Sequence, residues 1–193
     1  MQALRKAAFL DHDGVINLDR AYVSRWEDFE FVPGAVEAMR ALKQAGFALV
    51  VVTNQSGIAR GYYTEAQYQE LTLAIKQALA EAGAAIDAVY HCPHHPAGAV
   101  VGLTMDCDCR KPAPGMIFRA VRELNLSLSD SILVGDKPSD IQAARAAGVG
   151  RAYIVHSDNA ESGPGLAGAD AAYFDLYSCV ADLCGTPLNL QNK

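Results

Sequence analysis

The chain has 193 residues, of which 51% are hydrophobic, 20% charged and 8% aromatic, which excludes disordered, collagenous and disulfide-scaffold classes. Its length predicts one domain over residues 1–193, able to bury roughly 70% of the surface of the unfolded chain. Lys and Arg number 16 against 22 Asp and Glu, a formal net charge of −6, and no basic block is present to neutralise a row of phosphates, so nucleic acid is not expected as a partner.

The apolar run Ala7–Leu10 reads as a buried strand. It is too short for a signal-peptide core or a membrane span, which predicts a cytoplasmic protein with no membrane partner. Pro33-Gly34 opens a helix through Val36, Met39 and Leu42 that stops at Gly46, and Ala48–Val52 is the next strand. Thr64 and Gln67 form a capping-box pattern before a helix carrying Leu71, Ile75 and Leu79. Val89 and Tyr90 suit a third strand, Met116–Leu124 a helix, Ile132–Val134 a strand, Ser139–Ala147 a helix and Ala152–Val155 a strand. Residues 157–168 read as a surface loop before a short strand near Tyr173 and a helix from Leu176, in which Cys179 and Cys184 are expected to pack. Strands alternating with helices predict an α/β protein with a doubly wound, Rossmann-like parallel sheet and helices on both faces.

Four polar groups fall at the strand ends and helix starts where such sheets bind ligands. They are Asp11-His12-Asp13-Gly14, Thr53-Asn54-Gln55-Ser56-Gly57, Arg110-Lys111-Pro112 and Gly135-Asp136-Lys137-Pro138-Ser139-Asp140. Each alone suits a turn, a loop or a helix cap. As a set they offer a nucleophile, a hydroxyl donor, a cation and a metal-binding carboxylate.

In order, these groups resemble the four motifs of the haloacid dehalogenase superfamily. More narrowly, Val-Val-Thr-Asn-Gln-Ser-Gly-Ile-Ala-Arg-Gly, Cys-Pro-His-His-Pro and Cys-Asp-Cys-Arg-Lys-Pro look like the heptose bisphosphate phosphatase family within it, over about Ala7 to Gly148. The resemblance implies a monoester hydrolase releasing the C7 phosphate of heptose 1,7-bisphosphate, a small phosphorylated sugar, on the way to nucleotide-activated heptose for lipopolysaccharide core. It implies catalytic roles for Asp11 as nucleophile, Asp13 as general acid and base, Thr53 as donor to a phosphoryl oxygen and Lys111 as charge neutraliser. Mg²⁺ would be held by Asp11, Asp136 and the backbone carbonyl of Asp13, with Asp140 behind them. Asp19, Tyr22, Asn54, Gln55, Ser56 and Arg110 are the expected substrate contacts, Arg110 suiting a second phosphate through its planar fork. Ala21 departs from the glycine expected there in close relatives.

Asp13 argues against dehalogenation, because a halide leaves without a proton. Histidinol-phosphate phosphatases of the same superfamily are the nearest rivals, and a zinc-stabilised binding module with an idle site is a rival from another class. Gly14–Thr53 and Asn54–Arg110 leave no room for an inserted cap domain, and without a cap that needs dimer support a monomer is expected.

Between about residues 91 and 110 the chain has no regular pattern but carries three of its 5 cysteines. Cys92, His94, Cys107 and Cys109 form the Cys₃His set that suits structural Zn²⁺, and the alternative is a loop of free thiols. The resemblance implies the zinc reading, with His91 and His95 as bystanders. Zinc would brace the loop so that Arg110 and Lys111 face the substrate.

Overall fold

Alternation along the strands sets the layers. In the computed structural model, which describes residues 4–156 and 168–185, six strands form one sheet. They are β1 (Arg5–Leu10), β2 (Ala48–Asn54), β3 (Ala88–Cys92), β4 (Leu126–Gly135), β5 (Arg151–Val155) and β6 (Ala171–Tyr173). Their order is β3-β2-β1-β4-β5-β6, with every neighbouring pair parallel. Successive side chains point to opposite faces, so Ala8, Leu10, Leu49, Val51 and Val134 join one core while Ala7, Phe9, Val50, Val52 and Leu133 join the other. Both sets are buried, which requires helices on both faces.

The first core is covered by α1 (Ala35–Gln44), α3 (Glu65–Glu81) and α6 (Leu176–Cys184), through Met39, Leu42, Leu71, Ile75, Leu79 and Val180. The second is covered by α4 (Gly115–Leu124) and α5 (Pro138–Ala147), through Met116, Ile117, Ile141 and Ala144. Each fully buried Leu, Ile, Phe or Met contributes about 1.5–3 kcal/mol. The capping box forms: the Thr64 Oγ accepts from the Gln67 amide at 3.2 Å, and Gln67 Oε1 accepts from the Thr64 amide at 2.8 Å. Among the described residues no helix is long and apolar enough to cross a membrane.

Three local differences from the sequence reading have physical causes. β4 begins six residues before Ile132, because its first half is polar and pairs only with Arg5 and Lys6 before a register shift, so no apolar run announces it. A one-turn helix, α2 (Ser56–Arg60), follows β2, too short to show periodicity. Cys179 is buried in α6 as expected, but Cys184, at the end of that helix, is exposed. The loop expected over 157–168 lies outside the described residues, apart from Gly168.

The strand order reverses direction between β1 and β4. Ligands of open α/β sheets bind at the carboxyl ends of the strands that flank such a switch. Asp11 follows β1 and Asp136 follows β4.

Candidate active site

Lys111 organises the centre of the site. Its ammonium, 3% exposed, lies 2.7 Å from an Asp11 oxygen and 2.6 Å from an Asp140 oxygen, and donates to the Val52 carbonyl at 2.8 Å. The ammonium thus makes one hydrogen bond and two close ion pairs. Burial alone would lower the Lys111 pKa, but the charges of Asp11 and Asp140 hold it above its ordinary value. Asn54 fixes the backbone beneath it, accepting from the Lys111 amide and donating to the Lys111 carbonyl, both at 3.0 Å. The amide of Asn54 is thus a clamp on Lys111 as well as part of the cavity wall.

Asp11, Asp136 and Asp140 bring carboxylate oxygens within 4.8 Å of one another, all buried. Close packing explains the glycine before Asp136, since a Cβ on Gly135 would lie 2.3 Å from that of Asp140. Neither Asp136 oxygen accepts a hydrogen bond, and its nearest cation, the half-exposed Lys137 ammonium, is 3.6 Å away. Burial and the charge of Asp11 push Asp136 up to about 7. Orphaned buried carboxylate oxygens beside two further carboxylates fit a hard divalent cation, which prefers oxygen ligands. Asp140, expected behind the ligands, belongs to the same group of three.

Asp13 stands apart from that group. Its carboxylate accepts from Asn17 at 3.0 Å and from Gln55 at 3.3 Å and lies 3.2 Å from His12 Nδ1. Burial alone would raise its pKa, but His12, Asn17 and Lys137 hold it well below the usual carboxylate range. Buried Thr53 accepts from Gln55 at 3.0 Å.

A cavity of about 240 Å³ opens beside Asp13, walled by Asp19, Tyr22, Asn54, Gln55, Ser56 and Lys137 among others. Five of the six expected substrate contacts therefore converge. Arg110 does not: it is half-buried and donates to the His94 carbonyl at 3.3 Å. In the flap, the segment between β1 and α1, Ala21 and Tyr22 both have left-handed backbone, φ 55° and 60°, which explains why a glycine would suit position 21.

The cysteine loop folds back on β3. Cys109 Sγ is 3.1 Å from Cys92 and 3.3 Å from Cys107, with 3.5 Å between Cys92 and Cys107. His94 Nδ1 lies 3.3 Å from Cys109 and 3.7 Å from Cys92. These are close to the edges of a tetrahedron with metal bonds of about 2.0–2.3 Å. Three sulfurs and an imidazole nitrogen gathered this closely form a donor set that fits zinc. His91 pairs with Glu65 at 2.8 Å and His95 lies 3.0 Å from Arg60, both outside the cluster.

A family model described as haloacid dehalogenase-like hydrolase matches residues 2–148. The chain belongs to the haloacid dehalogenase-like hydrolases. This hydrolase is similar to a D-glycero-beta-D-manno-heptose-1,7-bisphosphate 7-phosphatase of Yersinia pestis, 48% identical over 164 residues, which cover 85% of this chain and 87% of that one. A D-glycero-alpha-D-manno-heptose-1,7-bisphosphate 7-phosphatase of Photorhabdus laumondii is 45% identical over 159 residues, 82% of this chain and 87% of that one. The hydrolase also resembles the crystal structure of D,D-heptose 1,7-bisphosphate phosphatase from B. bronchiseptica complexed with magnesium and phosphate. The TM-score is 0.79 at 34% identity, with 93% of this chain and 98% of that one covered.

Four residues of the site escape the sequence reading: His12, Asn17, Tyr63 and Lys137. Lys137 stands inside the Gly135–Asp140 motif, and Asn17 is four residues after Asp13, so position alone could have flagged both. Tyr63 had no such signal.

Proposed function

We propose that this hydrolase is a magnesium-dependent phosphatase that removes the C7 phosphate of D-glycero-D-manno-heptose 1,7-bisphosphate through an aspartyl-phosphate on Asp11. The observation that carries the chemistry is the separation of two carboxylates two residues apart. Asp11 is held by Lys111 in the metal-fitting cluster, and Asp13 is held by neutral amides and His12 in the wall of the cavity. In this reading the first meets phosphorus and the second meets the leaving oxygen. The identity of the substrate rests on the relatives, both named for heptose 1,7-bisphosphate.

The Asp11 carboxylate attacks phosphorus in line as the bond to the C7 oxygen breaks, and Asp13 delivers a proton to that oxygen. A phosphate dianion arriving beside Asp13 raises its pKa and supplies the reason for it to carry that proton. Asp13, now ionised, takes a proton from water, whose oxygen displaces Asp11 and releases inorganic phosphate. Lys111 and the Thr53 hydroxyl stabilise the charge spread over the phosphoryl oxygens. Mg²⁺, held by Asp11, Asp136 and the Asp13 carbonyl with Asp140 alongside, would neutralise phosphate charge. Zn²⁺ on Cys92, His94, Cys107 and Cys109 would be structural, fixing the chain two residues before Lys111. Arg110 would meet the second phosphate with the donors that its bond to the His94 carbonyl leaves over.

The short flap and cysteine loop take the place of a cap domain in this reading, the enzyme works as a cytoplasmic monomer, and its product feeds nucleotide-heptose and lipopolysaccharide core synthesis. The test is kcat/KM with Mg²⁺ on both heptose bisphosphate anomers, histidinol phosphate and fructose 1,6-bisphosphate. A preference of about a hundredfold for a heptose anomer, near 2.7 kcal/mol, is expected, with the β anomer ahead as in the relative of higher identity. Preference for histidinol phosphate would overturn the substrate and retain the mechanism.

A further inference from the structure

Gln55 was expected to touch substrate, yet its amide is engaged within the protein. Its Nε2 donates to Asp13 at 3.3 Å and to Thr53 Oγ at 3.0 Å, and its Oε1 accepts from the Tyr63 hydroxyl at 2.6 Å. An amide can lie in either of two orientations, and here the chemistry of its neighbours chooses. An ionised Asp13 only accepts, so the NH₂ end of Gln55 must face it, and the oxygen end must then face Tyr63.

Tyr63 is built to answer that requirement. It is 6% exposed and joins Ile58, Tyr68 and Leu103 in a small apolar cluster between α2, α3 and the cysteine loop. Its ring lies where a side chain on Gly57 would otherwise be, with Cε1 2.2 Å from a Cβ built there. A ring so confined has one place for its hydroxyl. Burial and the charge of Asp13 hold the phenol above its ordinary pKa, so it remains a donor.

We infer that Tyr63 is a positioning residue for phosphoryl transfer: its buried hydroxyl fixes the amide of Gln55, and that amide aims both Asp13 and Thr53. Gln55 holds the Asp13 carboxylate in the cavity wall, where it meets the leaving oxygen. By donating to Thr53 Oγ, it also leaves the Thr53 proton free to be given to a phosphoryl oxygen. The chain of three hydrogen bonds thus sets two separate functions from one phenol. It rests on the phosphatase reading above.

The test uses leaving groups. Departure of a sugar alkoxide needs the proton from Asp13, whereas p-nitrophenolate leaves as a stable anion. kcat/KM reports the steps through departure of the leaving group. Tyr63→Phe should lower kcat/KM for heptose 1,7-bisphosphate relative to that for p-nitrophenyl phosphate by about five- to tenfold, the size expected for one hydrogen bond. Gln55→Leu should produce the same bias, and adding Tyr63→Phe to it should add nothing further. Equal losses on both substrates, or additive losses in the double variant, would overturn the inference and leave the phosphatase reading standing. If the wild-type enzyme with Mg²⁺ hydrolysed neither substrate, the phosphatase reading itself would fall, and this inference with it.

Discussion

The carboxylate cluster and the cysteine loop gather ligands in opposite ways. Asp11 and Asp136 are carried by neighbouring strands in the middle of the sheet, and Lys111 and Asp140 arrive from helix-starting segments to neutralise one another. The positions of these groups are set by strands buried on both faces, and their chain neighbours Asp13, Asn54 and Lys137 line a cavity. Only Cys92 of the other cluster lies on a strand; His94, Cys107 and Cys109 lie in an irregular stretch. A site built on the sheet can tolerate loss of its metal, because packing holds it. A site built on a loop depends on the metal for its order. The first therefore suits chemistry that exchanges ligands, and the second suits a permanent brace.

The largest expected effect breaks the first site and spares its frame. Asp11→Asn should lower turnover by at least about a thousandfold, yet should not lower the melting temperature of the metal-free protein, because one of three crowded carboxylates has gone. A residual rate within tenfold of wild type would exclude the covalent route. Cys109→Ser should do the reverse: zinc content falls, the melting temperature drops, and kcat/KM declines by about a hundredfold as Lys111 shifts. Full activity in a protein shown to lack zinc would erase the distinction between the two regions.

Acidity sharpens the comparison further. The Asp136 carboxyl is pushed from its ordinary 3.8 up to about 7 in the metal-free fold. The folded state therefore holds this proton more tightly than the unfolded chain, and this group's contribution to stability declines as pH rises from about 4 to about 7. Binding of a divalent cation expels the proton, so Mg²⁺ affinity should tighten by up to about tenfold per pH unit below 7 and level off above it. Calorimetric titration across that window measures both affinity and proton release; a flat profile would place the metal elsewhere. The smallest effect concerns the flap. Ala21→Gly relieves a left-handed alanine at some cost in chain entropy, for a net gain of about 0.5 kcal/mol and a rise of one or two degrees on thermal unfolding. A fall in melting temperature would show that the Ala21 side chain makes a contact worth more than the strain.

Much of this was legible in residue order, for physical reasons. Double-sided burial writes continuous apolar runs such as Ala7–Leu10 and Ala48–Val52, and the polar residue that ends each run is held at the sheet's ligand-binding edge. Donor chemistry is local too: three thiols and an imidazole within eighteen residues indicate a soft metal wherever the loop lies. β4 was legible only where it is apolar, since its first half, although paired with β1 and buried at Leu126 and Ser127, interleaves serines with leucines and shows no apolar run.

The sequence by itself determined the alternating α/β pattern, the capping box of α3, the strand-end placement of Asp11 and Thr53, and the choice of oxygen donors at one site and sulfur at the other. Tertiary structure alone decided which groups are committed to one another. It sets the ammonium of Lys111, a hundred positions from Asp11, against Asp11, Asp140 and the Val52 carbonyl, brings Asp140 into the carboxylate cluster, turns Arg110 onto the His94 carbonyl and seats Tyr63 behind Gln55. Periodicity and spacing encode which face of an element is buried, but a hydrogen-bond partner depends on angstrom-level distances between segments that only packing brings together.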